Sequence, residues 1–250
     1  MSSVTLLTHV LVLLSIAVLW TNCTIPSYIK VCHRDDPKLS NCINDSITIL
    51  KPYLKKGIPE LDVPPLEPLL LDAVDLKSGN DATRIEATLS NLEIWGPTSF
   101  IILELKPNLN KNVFKFKVLL PELNVVGRYK ADARVLFFNL KGEGPAFINI
   151  TNYKFECKLK GNKISKGGEE FLEFEKMRLK IEVGTSSIRL ENLFNGDPVL
   201  GKATSDVVNE NSNLFISEIL PNLQQALSEK FTNIANKITL RFTHKELFPY

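Results

Sequence analysis

The residues of this chain that could do chemistry are few, and its cysteines are the most informative of them. The sequence holds four cysteines and three histidines, scattered too widely for a zinc cluster, so we expect no metal site. Cys32 and Cys42 lie ten residues apart, and a disulfide across such a loop stabilises a fold by about 3 kcal/mol on the chain-entropy model. We therefore predict that Cys32 and Cys42 are bridged. Cys157 is left as a small buried residue on a strand, a capped thiol, or a link between chains.

The catalytic motifs that we looked for are incomplete in the sequence or do not occur in it. Residues 196–203 read GDPVLGKA and begin like a phosphate-binding loop, but Pro198 removes a backbone amide and Ala203 cannot ligate magnesium. The nucleophile elbow G-x-S-x-G of secreted lipases does not occur in the sequence. His33 and His244 stand near opposite ends of the chain, with no Asp or Ser at a spacing typical of catalysis. We expect neither an enzyme nor a cofactor.

The composition is that of an ordinary folded domain. Hydrophobic residues make up 44% and charged residues 23% of the 250 residues, which excludes disordered and collagen-like chains. The 30 basic and 28 acidic residues give a net charge of +2 with no basic block, so nucleic acid is not an expected partner.

The start of the chain has the pattern of an export signal. Residues 10–20 form an apolar run, VLVLLSIAVLW, that is too short to span a bilayer and is followed by a polar segment ending at Cys23. We predict a signal peptide over residues 1–23, with a signal anchor as the alternative. Residues 24–250 then form a single secreted, extracellular domain without stable membrane insertion. Asn44 and Asn149 begin glycosylation sequons, which agrees with export.

Hydrophobic spacing divides the rest of the chain into three regions. Between residues 41 and 56 apolar residues recur at three and four, which predicts a helix that ends at Gly57. Between residues 63 and 194 the period is two, with one apolar and one charged face, which predicts an antiparallel sheet that is open to water on one side. Opposite charges should face each other across a hairpin in this region.

The last region has the period of a helix again. Apolar residues recur at three and four through residues 205–240, which predicts one long helix with a kink at Pro221. No sustained heptad supports a coiled coil, so the helix should lie in the concave apolar face of the sheet. The fold class is therefore α+β. The gap between sheet and helix is either a dry, apolar ligand cavity or a filled core.

Four stretches of the chain resemble a known family of insect secreted proteins. They are YIKVCHRDDPKLSNCI from Tyr28, LKKGIPELDVPPLEPLLLD from Leu54, LPELNVVGRYKADARVLFFNLKGEG from Leu120, and IRLENLFNGDPVLGKA from Ile188. The chain resembles the takeout and juvenile-hormone-binding family over essentially its whole length after the signal. This resemblance implies a strongly curved antiparallel sheet wrapped around a long C-terminal helix, enclosing an apolar tunnel. It also implies carriage of juvenile hormone, related terpenoids or lipids, in circadian, feeding or chemosensory signalling.

One departure places the chain in the takeout-like subgroup, and a second concerns the hydrogen bond to the ligand. The hormone carriers of the family have a second disulfide from a strand to the long helix. The strand cysteine matches Cys157, but residues 205–250 contain no cysteine. These carriers also offer the ligand a tyrosine near the stretch matched by residues 136–138, which is apolar here. A hydrogen bond to the ligand would then come from Tyr129 or Tyr53.

We predict a monomeric, non-enzymatic carrier of a small lipophilic ligand; whether it also has a receptor or other protein partner stays open. Strand and helix residues on the two apolar faces should line the tunnel, although each could equally be ordinary core: Phe114, Phe116, Val135, Phe137, Phe155, Leu223, Leu227 and Phe231. The alternative from a different class is a secreted recognition protein that acts through its surface loops and has a filled core.

Overall fold

The described part of the protein begins after the predicted signal. The computed structural model describes residues 24–80, 83–135 and 138–250, so the predicted signal peptide over residues 1–23 lies outside the described residues. Helix α1 (Leu39–Lys56) ends at Gly57, whose φ of 84° lies in the left-handed region that favours glycine. Cys32 and Cys42 form a disulfide with their Cα atoms 5.9 Å apart, which confirms the predicted bridge.

A curled antiparallel sheet follows α1 and confirms the predicted α+β class. Its strands are β1 (Leu69–Asn80), β2 (Thr83–Trp95), β3 (Ile101–Asn108), β4 (Val113–Val135), β5 (Phe138–Lys166), β6 (Glu169–Phe174), β7 (Arg178–Glu182) and β8 (Thr185–Leu190). The two long strands β4 and β5 pair along their length at the centre. Strands β2 and β3 share the other edge of β4, and β6, β7 and β8 share the other edge of β5.

In β4 and β5 the alternation of buried apolar residues shifts by one position, at the same point along the paired strands. Leu120 and Leu123 are both buried although they lie three residues apart, and Ile150 and Tyr153 show the same offset on β5. Leu120 pairs with Tyr153, and Asn152, the residue before Tyr153, has a φ of 54°. One extra residue in each strand therefore keeps the large side chains on the concave face through this irregularity.

The C-terminal region contains helices α2 (Pro198–Glu210), α3 (Ser212–Thr239) and α4 (His244–Leu247). The predicted long C-terminal helix is present as α3, but it begins at Ser212 and not at residue 205 because the helix is interrupted at Asn211. The Asn211 side-chain amide donates to the carbonyl of Val207 at 2.9 Å and so competes with the helical backbone. Pro221 lies inside α3, where both it and Ser217 are exposed, so water can satisfy the Ser217 carbonyl that loses its helical partner.

The segment that resembles a phosphate-binding loop starts a helix instead. The Asp197 carboxylate accepts hydrogen bonds from the backbone N–H groups of Val199 at 3.0 Å and Leu200 at 2.9 Å. This is the N-cap arrangement that satisfies the free amides of a first helical turn. The side chain therefore fills the position that a phosphate would need.

Helix α3 spans the opening between the two ends of the curled sheet. On one side the Asn222 amide donates to the carbonyl of Asp75 in β1 at 2.9 Å. On the other side the Ile181 N–H in β7 donates to the Gln224 side chain at 2.8 Å. Because an open strand edge leaves backbone groups without partners, a helix bonded to both edges closes the sheet.

The outer face of the sheet carries the charges that the alternation predicts. Across the β5–β6 hairpin Lys160 pairs with Glu175 at 2.6 Å and Lys163 pairs with Glu170 at 2.7 Å. The lysine partners hold the pKa values of both glutamates below their ordinary value. These carboxylates therefore belong to a solvated surface and not to an acid and base pair.

Candidate functional site

An elongated cavity lies between α3 and the concave face of the sheet. Its volume is about 600 Å³, and its wall follows α3 from Ile216 to Ile238, about 33 Å at the helical rise per residue. The lining side chains are almost entirely aliphatic and aromatic. Sheet and helix therefore do not form the filled core that the alternative expectation required.

Six of the predicted wall residues are brought together around this cavity. They are Phe114, Phe116, Phe155, Leu223, Leu227 and Phe231. The rings of Phe116 and Phe155 meet edge to face with centroids 6.3 Å apart, an arrangement that fixes both against neighbouring strands. Val135 ends β4 with its backbone paired to Phe138, and Phe137 lies outside the described residues.

Tyr53 and Tyr129, predicted as hydrogen-bond donors to a ligand, are corrected by the structure. Tyr53 is 41% exposed and stacks on Tyr28 with ring centroids 4.2 Å apart, because α1 turns it away from the sheet. The Tyr129 hydroxyl donates to the carbonyl of Glu191 at 2.9 Å, so a backbone group already accepts its hydrogen bond. Neither residue belongs to the described part of the cavity wall.

Much of the wall comes from residues that the prediction did not include. These residues are Leu69, Leu71 and Val74 of β1, Leu89, Leu92 and Ile94 of β2, Ile43 and Ile47 of α1, Tyr153 of β5, and Leu247 and Phe248 near the C terminus. The sequence did contain signals for these wall residues, namely the alternation in β1 and β2 and the apolar stripe of α1. Which apolar face meets the cavity depends on how the sheet curls, and spacing within one strand does not contain that information.

A row of uncharged polar residues holds α3 against the sheet edge. Gln224, Ser228, Thr232 and Asn236 recur every four residues and therefore share one face of the helix. Besides the Gln224 bond, the Met177 N–H donates to Thr232 at 2.8 Å and the Ser228 hydroxyl donates to the Met177 carbonyl. The spacing was a signal in the sequence, but uncharged polar residues on a helix more often face water.

The last member of the row makes two bonds. Asn236 accepts from the Phe174 N–H at 2.7 Å and donates to the Phe174 carbonyl at 3.0 Å. Since α3 is fixed by side-chain hydrogen bonds to β6, β7 and the segment between them, its apolar face does not have to interdigitate with the sheet. This attachment explains how an open apolar space persists between two apolar faces.

Cys157 lies on the same face of β5 as Phe155, and its thiol is chemically inert. It is 4% exposed, and burial raises the pKa of its thiol to about 12. Because only the thiolate reacts, we expect the folded protein to resist Ellman's reagent near pH 8 and to react once guanidinium chloride unfolds it. Absorbance at the product wavelength follows the reaction. Rapid labelling of the folded chain would show that the thiol is accessible.

His244 packs against Phe248 and so supports one end of the cavity wall. It is 3% exposed and its ring lies 5.6 Å from that of Phe248, which lines the wall. Burial, with the nearby charges of Lys163 and Arg34, lowers the pKa of His244 below its ordinary 6.5. The folded state therefore binds this proton less readily than the unfolded chain does.

Thermal unfolding should consequently depend on pH. We expect the midpoint to fall as pH drops from about 7 to about 5, because the unfolded chain takes up a proton that folded His244 excludes. His244→Gln should flatten this slope, whereas the lysine-paired glutamates act only at lower pH. An unchanged slope in His244→Gln would assign the effect to another group.

Within residues 24–80, 83–135 and 138–250 the structure contains no group of histidine, cysteine, aspartate and glutamate side chains that could hold a metal ion. No helix in those same ranges is both long and apolar enough to cross a bilayer. Asn149 donates to Glu122 at 2.7 Å and to Asn124 at 2.9 Å, and a glycan on this sequon would replace one of the two N–H groups that make these bonds.

Comparison with known proteins agrees with this architecture. Takeout 1 of Epiphyas postvittana superposes with a TM-score of 0.76 at 20% identity, covering 89% of this chain and 100% of that one. The circadian clock-controlled protein daywake of Drosophila melanogaster is 21% identical over 243 residues, 92% of each chain. A putative beta-carotene-binding protein of Schistocerca gregaria is 22% identical over 225 residues, 88% of each chain.

The family model for the haemolymph juvenile hormone binding protein matches residues 10–249. This match spans almost the whole chain and includes the segments that carry the disulfide, the sheet and the long helix. The chain therefore belongs to the haemolymph juvenile hormone binding protein family, the family of takeout proteins and other carriers of lipophilic ligands.

Proposed function

We propose that this protein is a secreted carrier that holds one small hydrophobic ligand in the cavity between α3 and the sheet. Residues 24–250 act as a single domain that is exported after removal of residues 1–23 and remains monomeric. The observation that carries the proposal is the cavity itself, about 600 Å³ of space lined by aliphatic and aromatic side chains. The described part of the cavity wall contains no nucleophile paired with a base.

The size of the cavity fits a lipid or terpenoid. An apolar cavity of about 150 Å³ stays dry and accepts one benzene molecule, so about four times that volume accommodates roughly twenty carbon atoms. Each buried methylene contributes about 0.8 kcal/mol, so a ten-carbon chain offers about 8 kcal/mol before the costs of association. Dissociation constants from micromolar to nanomolar are then within reach.

The ligand contacts proposed for this chain come from both apolar faces. Phe114, Phe116 and Phe155 would contact the ligand from the sheet, and Leu223, Leu227 and Phe231 from the helix. The relative named for beta-carotene binding supports a hydrophobic ligand, and daywake's description supports a role in circadian signalling. Because residues 205–250 contain no cysteine for the second disulfide of the hormone carriers, related terpenoids and lipids are proposed as ligands alongside juvenile hormone.

Native mass spectrometry of protein purified from its own tissue tests this function. We expect a complex heavier than the chain, which releases a small lipid when the protein is denatured and extracted with organic solvent. A chain without bound lipid that also fails to take up N-phenylnaphthylamine, a neutral lipophilic dye, would contradict the carrier function. That result would favour recognition through surface loops.

A further inference from the structure

Basic residues from four different strands lie in one line across the sheet. Lys115 of β4 pairs with Lys106 of β3 on one side and with Lys158 of β5 on the other. Lys158 pairs in turn with Arg178 of β7. Since neighbouring strands lie about 4.8 Å apart, the line is about 14 Å long. We call these residues the basic row: Lys106, Lys115, Lys158 and Arg178.

The basic row lies on the face of the sheet that turns away from the cavity. Each member has a residue of the cavity wall next to it in its strand, namely Leu105, Phe114, Leu159 and Leu179. Because successive side chains of a strand point to opposite faces, the basic row lies on the convex side. Lys106, Lys115 and Arg178 are exposed and Lys158 is half-buried. A partner in solution can therefore reach the row while the cavity holds its ligand.

The next row on the same four strands shows that their charges can be neutralised. Two residues further along each strand, the register brings together acidic and basic residues in alternation, here called the paired row: Glu104, Lys117, Glu156 and Lys180. Lys117 and Glu156 form an ion pair at 2.6 Å. Opposite charges that face each other across strands stabilise a sheet, whereas like charges in the same positions destabilise it.

The basic row is not neutralised in this way. Lys106 makes an ion pair with Glu104 of its own strand. The other three members have no carboxylate partner within 4.0 Å among the residues that the structure describes. Glu175 senses the charge of Arg178, but its carboxylate already binds Lys160 at 2.6 Å. The fold therefore keeps a line of positive charge that destabilises the sheet and that a bound polyanion would neutralise.

We propose that the basic row binds a linear sulfated polysaccharide outside the cell. Lysine and arginine form charge-assisted hydrogen bonds with anionic oxygens, and clustered basic residues are typical of heparin-binding surfaces. The choice of a polysaccharide rests on the proposed secretion, whereas the row itself does not depend on what the cavity holds.

The shape of the basic row favours this partner over a membrane or a nucleic acid. Because the sheet curls around α3, a line that crosses the strands follows the convex curvature. A flat bilayer cannot contact all four charges of such a line at once, but a polysaccharide chain can follow them. Neither the basic row nor the paired row contains an aromatic residue on which the bases of a single strand could stack.

Binding to immobilised heparin tests the proposal. We expect the wild-type protein to bind heparin with an affinity that falls as salt rises, and to bind desulfated heparin more weakly. Lys115→Gln/Lys158→Gln should weaken heparin binding about tenfold. It should also raise the melting temperature, because it removes repulsion within the row. A lower melting temperature of this variant would contradict the charge arrangement on which the proposal depends.

Lys117→Gln/Lys180→Gln is the matched control, because it removes the same amount of charge from the paired row. It should retain most of the heparin affinity and lower the melting temperature, since Glu156 loses its partner. Equal weakening in both variants would reduce the effect to net charge and overturn the proposal. Tighter binding of the wild-type protein to phosphatidylserine vesicles than to heparin would overturn it as well.

Uptake of N-phenylnaphthylamine separates this proposal from the carrier function. Both variants should take up the dye as the wild-type protein does, because neither changes a residue of the cavity wall. Wild-type protein that takes up the dye but does not bind heparin would overturn the polysaccharide site alone. Heparin binding without dye uptake would support the site and contradict the carrier function.

Discussion

Leu227→Asp should reduce the affinity of the protein for N-phenylnaphthylamine on the order of a hundredfold. Leu227 is 8% exposed and projects from α3 into the cavity wall. A carboxylate at this position either remains charged in an apolar space, which is strongly unfavourable, or draws water into the space that the ligand needs. Fluorescence titration of the dye measures the change, because the dye is bright only in apolar surroundings.

Two further variants make this prediction decisive. Asn233→Asp places the same carboxylate on the exposed face of α3 and should leave dye binding unchanged. Leu223→Trp fills part of the cavity without adding charge, so it should weaken dye binding while the chain still unfolds cooperatively. Wild-type dye affinity in a folded Leu227→Asp or Leu223→Trp protein would show that this wall does not hold the ligand.

Asn236→Ala should lower the free energy of unfolding by about 2–4 kcal/mol. The substitution removes the partners of both the N–H and the carbonyl of Phe174, and each buried backbone group left unpaired costs about 1–3 kcal/mol. Chemical denaturation with guanidinium chloride gives the free energy difference. Asn236 thus tests whether side-chain hydrogen bonds hold the long helix on the sheet.

Asn233→Ala provides the matched comparison, since it makes the same substitution on the exposed face of the same helix. Its effect should stay within about 0.5 kcal/mol, as is usual for exposed positions. Equal destabilisation by the two variants would mean that helix propensity, and not the bonds to Phe174, accounts for the loss.

Local sequence patterns were sufficient to predict the elements whose ends are encoded by nearby residues. The stripe containing Ile43 and Ile47, followed by Gly57, defined α1 because spacing and a helix stop are both encoded within a few residues. The Cys32–Cys42 bridge was equally local. Strand alternation defined the faces of β4 and β5, which is why Phe116 and Phe155 were correctly placed on the cavity side.

Features that depend on tertiary neighbours were missed. The C-terminal helix was predicted to begin at residue 205, yet Asn211 interrupts it and separates α2 from α3. Tyr129 and Tyr153 both alternate onto the apolar face, but only the folded chain shows which hydroxyl has a backbone partner. Spacing gives the face of a side chain and not the group that it meets.

The crystal structure of the delipidated protein with the methyl ester of an ω-bromo fatty acid bound would show whether the cavity holds the ligand, because bromine scatters anomalously. A ligand bound in the cavity would give an anomalous peak between the lining residues of α3 and those of the sheet. Bromine found only on the outer surface, or aromatic side chains turned inward to fill the space, would contradict the proposed carrier function.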